Sequence, residues 1–137
     1  MTSLDNQANW HWAEGIKFAL EGVKLLFVLN GAASVSILTF IGNVRIGSGM
    51  LVGSLIAFAF GAASTIPAML LAYLTQLHYG NASQGDTGDM TVWLTAAKFH
   101  HRAYAFMALG LFCFLAGVAL AACGLWNVPS ASPCTTR

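Results

Sequence analysis

The chain predicts an all-α integral membrane protein of three long helices, and three observations predict it. Charged residues make up 8% of the 137 and hydrophobic ones 57%, whereas soluble domains carry roughly a quarter charged residues. Three apolar runs reach the roughly 20 residues that cross a bilayer as a helix. None of them alternates with period 2, so the pattern favours helices, which satisfy every backbone group internally, over a barrel. A soluble fold of this size has too much surface for so few charges to cover. The net charge of +1 supplies no basic stripe of the kind nucleic acid requires.

The first run is 24–42, and residues 1–23 continue its helical pattern upstream as an extension. The second is 49–74, running on to about His78. The third is 103–126, with 90–102 as its upstream extension. Between the last two lies GNASQGDTGD, 80–89, expected as a flexible loop, and 127–137 is a short tail. The opening MTSLDNQANWHW has neither the basic region nor the short apolar core of a secretory signal, and no lipidation signal is present. Lys17, Lys24, Lys98 and Arg102 gather on one side, with only Arg45 and Arg137 on the other. Excess Lys and Arg mark the cytosolic side, which puts the N-terminus and the 80–89 loop in the cytosol and the tail in the periplasm. There the Asn81-Ala-Ser sequon carries no meaning. Trp10, Trp12, Trp93 and Tyr104 fall at the inner interface and Trp126 at the outer one.

Small residues predict how the helices pack. The second run carries Gly49, Gly53, Ala57 and Gly61 at every fourth position, and the third carries Gly110, Gly117 and Gly124 at every seventh, with Ala103 and Cys113 near the same stripe. Small faces let helix backbones approach closely, which drives association in lipid. Three thin helices shield few polar groups, so a homo-oligomer is expected. Pro67 removes a backbone hydrogen bond to Ala63; either neighbouring Ser64 and Thr65 repair the kink, or it is a hinge.

Asn30, inside an otherwise hydrocarbon-like stretch, lies about 9 Å beyond Lys24 along a helix. Counting from the cytosolic ends brings Ser64 and Thr65, and the third helix near Gly110 to Cys113, to a similar depth. Asn30, Ser34, Ser64 and Thr65 therefore form one expected polar layer beside a glycine notch. Two readings remain open. Asn30 is interhelical glue that fixes register, or it lines a water-filled path as an amide ring, and an amide ring on a symmetry axis is both.

A charged repeat, Glu14-Gly-Ile-Lys17 and Glu21-Gly-Val-Lys24, places both copies on one helix face. It is either a solvated face with snorkelling lysines or a seam between subunits that puts rings of charge at a cytosolic mouth. The cluster Lys98, His100, His101 and Arg102 precedes the third run as an anchor for anionic lipid or, with His78 and His11, a pH-sensitive patch. Cys113, Cys123 and Cys134 lack zinc-site spacing, and no histidine pair faces across the spans as a haem site needs. No metal or cofactor is expected. With no Asp, Glu or His inside the spans, acid–base catalysis has no candidate group, and no inverted repeat marks a transporter.

Leu29-Asn30-Gly31-Ala32-Ala33, followed by a serine-rich apolar stretch and Gly42-Asn43, together with the basic His100-His101-Arg102 cluster, resembles a group of short bacterial inner-membrane proteins. These have three spans and an Asn-Gly-(Gly/Ala)-Ala first helix. The likeness covers the layout of most of the chain, and matching residues concentrate in one helix turn. It implies a bacterial inner membrane and no particular chemistry.

The expected function is a small oligomeric membrane protein that forms an ion-conducting path or pore. By analogy with small non-enzymatic membrane proteins, a membrane-disrupting effector of a defence or toxin system fits. The alternatives are an accessory subunit docking a larger membrane complex and, third, a cofactor-binding subunit. The expected partners are the lipid bilayer, further copies of the chain, and a cytosolic or membrane protein.

Overall fold

The computed structural model describes residues 3–44, 48–84 and 90–127. They form three helices: α1 (Ser3–Val44), α2 (Gly49–Gln84) and α3 (Met90–Trp126). Each is long and apolar enough to cross a membrane, over Glu14–Asn43, Gly49–Gly80 and Trp93–Trp126. At 1.5 Å per residue even the shortest helix is about 54 Å long, well beyond a hydrocarbon core of about 30 Å. The helix α2 runs further than the sequence suggests, taking up residues 80–84 of the expected loop. Residues 85–89, Arg45, the tail from 128 on, and the side chains of Trp10, His11, Trp12 and Asn81 lie outside the described residues.

Helix ends are satisfied locally. The Ser48 carbonyl accepts from the Leu51 and Val52 N–H groups at 3.0 and 3.1 Å, opening α2. At the close of α3, Asn127 donates both its backbone N–H and its side-chain Nδ2 to the Cys123 carbonyl. The same Nδ2 lies 3.9 Å from Met50 Sδ, which ties this end of α3 to the start of α2.

An antiparallel hairpin of α2 and α3 forms the body, with α1 laid along α2 and touching α3 at few places. The buried positions of α3 are Ala96, Ala103, Gly110, Gly117 and Gly124, one every seven residues. Seven residues turn a helix through nearly two full turns, so this stripe drifts only about 20° per repeat and stays on α2 throughout. Its glycines are sockets. A Cβ at Gly117 would stand 2.7 Å from the Phe58 ring, and one at Gly124 3.0 Å from the Leu51 side chain. Phe58 is held from its other side by Phe114, ring centroids 5.8 Å apart.

Within the single chain the small-residue ridge of α2 is only partly used. A Cβ at Gly61 would clash, one at Gly53 would make an ordinary 3.6 Å contact with Leu120, and one at Gly49 would meet nothing within 4 Å. The cause is geometric. Steps of four residues rotate about 40° each, so by Gly49 the row has turned about 120° away from Gly61. The seam follows alternating steps of three and four instead, through Leu51, Ser54, Phe58, Gly61, Thr65, Ala68 and Thr75, all buried.

Pro67 sits inside an unbroken α2. The expected repair of the Ala63 carbonyl does not occur: Ser64 Oγ donates to the Gly61 carbonyl at 2.8 Å and Thr65 Oγ1 to the Ala62 carbonyl at 2.7 Å. A hydroxyl on a helix reaches carbonyls three or four residues back, and here both take the shorter option.

Candidate functional site

Two places gather the polar side chains of the membrane-compatible segments. The first is interior. Asn30 on α1 is fully buried, 0% exposed, and turned into the α2–α3 hairpin. Its Nδ2 donates to the Leu26 carbonyl of its own helix at 3.0 Å and to the Gly110 carbonyl of α3 at 3.3 Å. Its Oδ1 accepts no N–H or O–H among the described residues and rests on Gly61 of α2. Gly110 is roofed by the Leu26 methyls and by Ser64 Oγ, which stand 2.7 and 2.8 Å from where a Cβ would be. The expected polar layer beside a glycine notch is therefore present for Asn30, Ser64, Gly61 and Gly110.

Thr65 and Ser34 belong to it less closely. Thr65 is buried at 2% exposure, but its hydroxyl is spent on its own helix. The Ser34 Oγ, one turn beyond Asn30, is buried with no hydrogen-bond partner. None of these four side chains lies on the outer surface of the chain. Of the two readings for Asn30, interhelical glue matches this geometry. Within the single chain the amide is closed off from the outer surface.

The second place is the outer face of α1. Among the described residues, Ser36, Thr39 and Asn43 are the exposed Ser, Thr, Asn and Gln side chains between Lys24 and Asn43 on α1, between Gly49 and Gly80 on α2, and between Tyr104 and Trp126 on α3; Tyr73 and Tyr104 are the exposed phenols there. At 100° per residue they share one stripe with Ala32, Val28, Leu25, Glu21 and Glu14, turned away from the seam of Val23, Leu26 and Asn30. The sequence pattern alone gave Ser36 and Thr39 no separate role. The 100° periodicity from Asn30 held the signal. Both hydroxyls are satisfied internally, Ser36 Oγ on Ala32 O and Thr39 Oγ1 on Val35 O, each at 2.8 Å. What they present outward is acceptor lone pairs.

The charged repeat continues this stripe at the other end of α1. Lys17 pairs with Glu14 at 2.6 Å and Lys24 with Glu21 at 2.7 Å, both on the exposed side. Exposed pairs of this kind add only a few tenths of a kcal/mol or about that. Glycines flank the stripe: a Cβ at Gly15, Gly22, Gly31 or Gly42 would meet nothing within 4 Å.

The basic cluster does not converge on one point. Lys98 and Arg102 are exposed on one side of α3. His100 turns its ring edge to Tyr104 (centroids 4.6 Å apart), and His101 Nδ1 sits 2.8 Å from the Ala97 carbonyl. His78 of α2 stacks on Phe99 of α3 at 5.2 Å, which closes the hairpin at this end. Among the described residues no three His, Cys, Asp or Glu side chains come together as a metal site. All the described charged side chains lie at this end of the bundle, with Glu14, Lys17, Glu21 and Lys24 on α1 and Lys98 and Arg102 on α3. A cleft of about 600 Å³ opens here beneath α1, between α2 and α3.

Comparison with protein-family models, with curated proteins and with solved structures gave no match to this chain.

Proposed function

We propose that the protein is a non-enzymatic membrane subunit of a bacterial inner membrane that associates with copies of itself around α1, forming an ion-conducting path. The observation that carries this reading is the outward stripe of α1. It collects the exposed serine, threonine and asparagine side chains of the membrane segments, Ser36, Thr39 and Asn43, and continues into Glu14 and Glu21. The Ser36 and Thr39 donors are met by their own helix, so their outward acceptor lone pairs and the exposed Asn43 are what another helix or water would meet. With α2 and α3 already bound to the opposite side of α1, a second copy is free to meet this face. The unfilled glycines at 15, 22, 31 and 42 permit close approach.

In this arrangement the charged repeat lies at a cytosolic mouth, where rings of charge set ion preference. Leu25 and Val28, 59% and 58% exposed, make an apolar band between that mouth and the hydroxyls. The cytosolic assignment rests on the excess of basic residues at this end. Permeabilising a membrane in a defence or toxin setting fits a protein with no Asp, Glu or His in residues 24–43, 49–74 and 103–126.

The test combines native mass spectrometry of the full chain in detergent with planar-bilayer recording. A single closed oligomer with conductance that changes in a Ser36→Leu, Thr39→Leu double variant supports the reading. A second reading, an accessory subunit docking a helix of another protein on the same stripe, is favoured by the internal satisfaction of the Ser36 and Thr39 donors. A monomeric, non-conducting chain selects it.

A further inference from the structure

The cleft beneath α1 lies on the other side of that helix from the outward stripe, and the proposed path makes no use of it. Its volume, about 600 Å³, falls in the range of small-molecule sites, roughly 300–1,000 Å³. All three helices line it, and its two ends differ in chemistry. Val23, Met69 and Met107 form the apolar end, and Gln76, His100 and Tyr104 form the polar end. Val23 is 3% exposed and part of the packed core, so the apolar end is a wall of the bundle.

Three features define what fits. First, no charged side chain lines the cleft. Lys98 and Arg102 lie about 160–200° around α3 from His100, and Lys17 and Lys24 are paired with Glu14 and Glu21 on the far side of α1. A carboxylate or phosphate head would find no countercharge. Second, the side chains of Gln76, His100 and Tyr104 make no hydrogen bond to another described residue. They leave donors from two helices free at one end. The His100 and Tyr104 rings stand perpendicular to each other, centroids 4.6 Å apart, so that end is lined by aromatic rings. Third, Tyr104 opens the apolar run of α3, so the polar end sits at head-group depth and the apolar end points into hydrocarbon. Two methionines let that end adapt to a flexible chain.

We infer that this cleft binds an uncharged lipid with a flat carbonyl-bearing head and a hydrocarbon tail, the chemistry of a prenyl quinone. The carbonyl oxygens accept from Gln76 and from His100 or Tyr104, and the tail lies along Val23, Met69 and Met107. Binding alone is assigned; no electron transfer is involved.

The probe is a benzoquinone carrying a decyl chain, titrated calorimetrically into the full-length protein in detergent. Saturable binding of one probe per chain is expected. Affinity falls by about tenfold or more in Ala72→Phe, which fills the cleft, and in a Gln76→Leu, His100→Leu double variant, which removes donors while keeping apolar bulk. Leu109→Ala, on an exposed part of α3, leaves affinity unchanged. Circular dichroism melts identify any variant that fails to fold, and the two cleft variants back each other up. Absence of saturable binding overturns the inference. So does equal affinity in the cleft variants, or equal or tighter binding of decanoate (an anionic head) or monodecanoylglycerol (an unflattened neutral head).

Discussion

Asn30 reaches from α1 to the Gly110 carbonyl of α3 at 3.3 Å, and it does so across a surface that only glycine at position 61 leaves open. A Cβ on Gly61 would stand 2.6 Å from Asn30 Cγ, closer than atoms can pack. One amide thus joins three helices, and the two glycines are the space it needs.

Adding that Cβ displaces the amide. Gly61→Ala is expected to destabilise the folded chain by about 1–3 kcal/mol, the usual cost of overpacking a close-packed interior. Asn30→Ala removes the obstacle, so the double variant recovers part of the loss. Thermal unfolding in detergent of the two single variants and the double variant reads this directly. Simple additivity means that the two residues do not compete for one volume.

Asn30→Leu separates glue from path. It removes the bond to Gly110 and should cost about 0.6–2 kcal/mol, as interhelical polar contacts do in membranes. Conductance per assembled unit stays as it was, because the side chain is closed off inside one subunit. A change of ion preference in this variant, recorded in a planar bilayer, contradicts the position assigned to Asn30.

A second socket behaves like the first. Gly117→Ala puts a methyl 2.7 Å from the Phe58 ring, with an expected loss of about 1–3 kcal/mol. Phe58→Leu in the same chain restores room and part of the stability. Gly49→Ala is the control. Its Cβ meets nothing and it stands at the first position of α2, so its melting temperature holds.

The outward stripe of α1 predicts a functional effect without a stability effect. Ser36→Leu with Thr39→Leu removes two exposed hydroxyls that pack against nothing else in the chain and bond only their own helix. The monomer fold, followed by circular dichroism, is unaffected. The self-associated state seen by native mass spectrometry, or its conductance, is lost.

Much of this architecture was legible in the residues. The three apolar runs became three helices, and counting depth from Lys24 and His78 brought Asn30 level with Ser64 and Gly110. Depth follows from a fixed rise per residue and is easy to read. Rotation is harder. Gly49, Gly53 and Gly61 look like one ridge on paper, yet a four-residue step turns too far for a long helix pair, and only Gly61 stays tightly on the seam. The same difficulty hid Ser36 and Thr39, which share a neighbourhood in sequence with Asn30 but face the other way. Repair of the Pro67 kink by the Ser64 and Thr65 hydroxyls was one of two readings, beside a hinge. Local geometry gave them nearer acceptors.

The account turns on whether the outer face of α1 meets water inside a self-made assembly or meets lipid. With Cys113, Cys123 and Cys134 replaced by serine, single cysteines at Ser36 and, for comparison, at exposed Val118 of α3 report on this. Each variant is treated in membranes with a charged, water-soluble thiol reagent. Thiolate is the reactive form and is suppressed in hydrocarbon. The account predicts rapid modification of the cysteine at position 36 and none at position 118. Equal protection of both positions contradicts it.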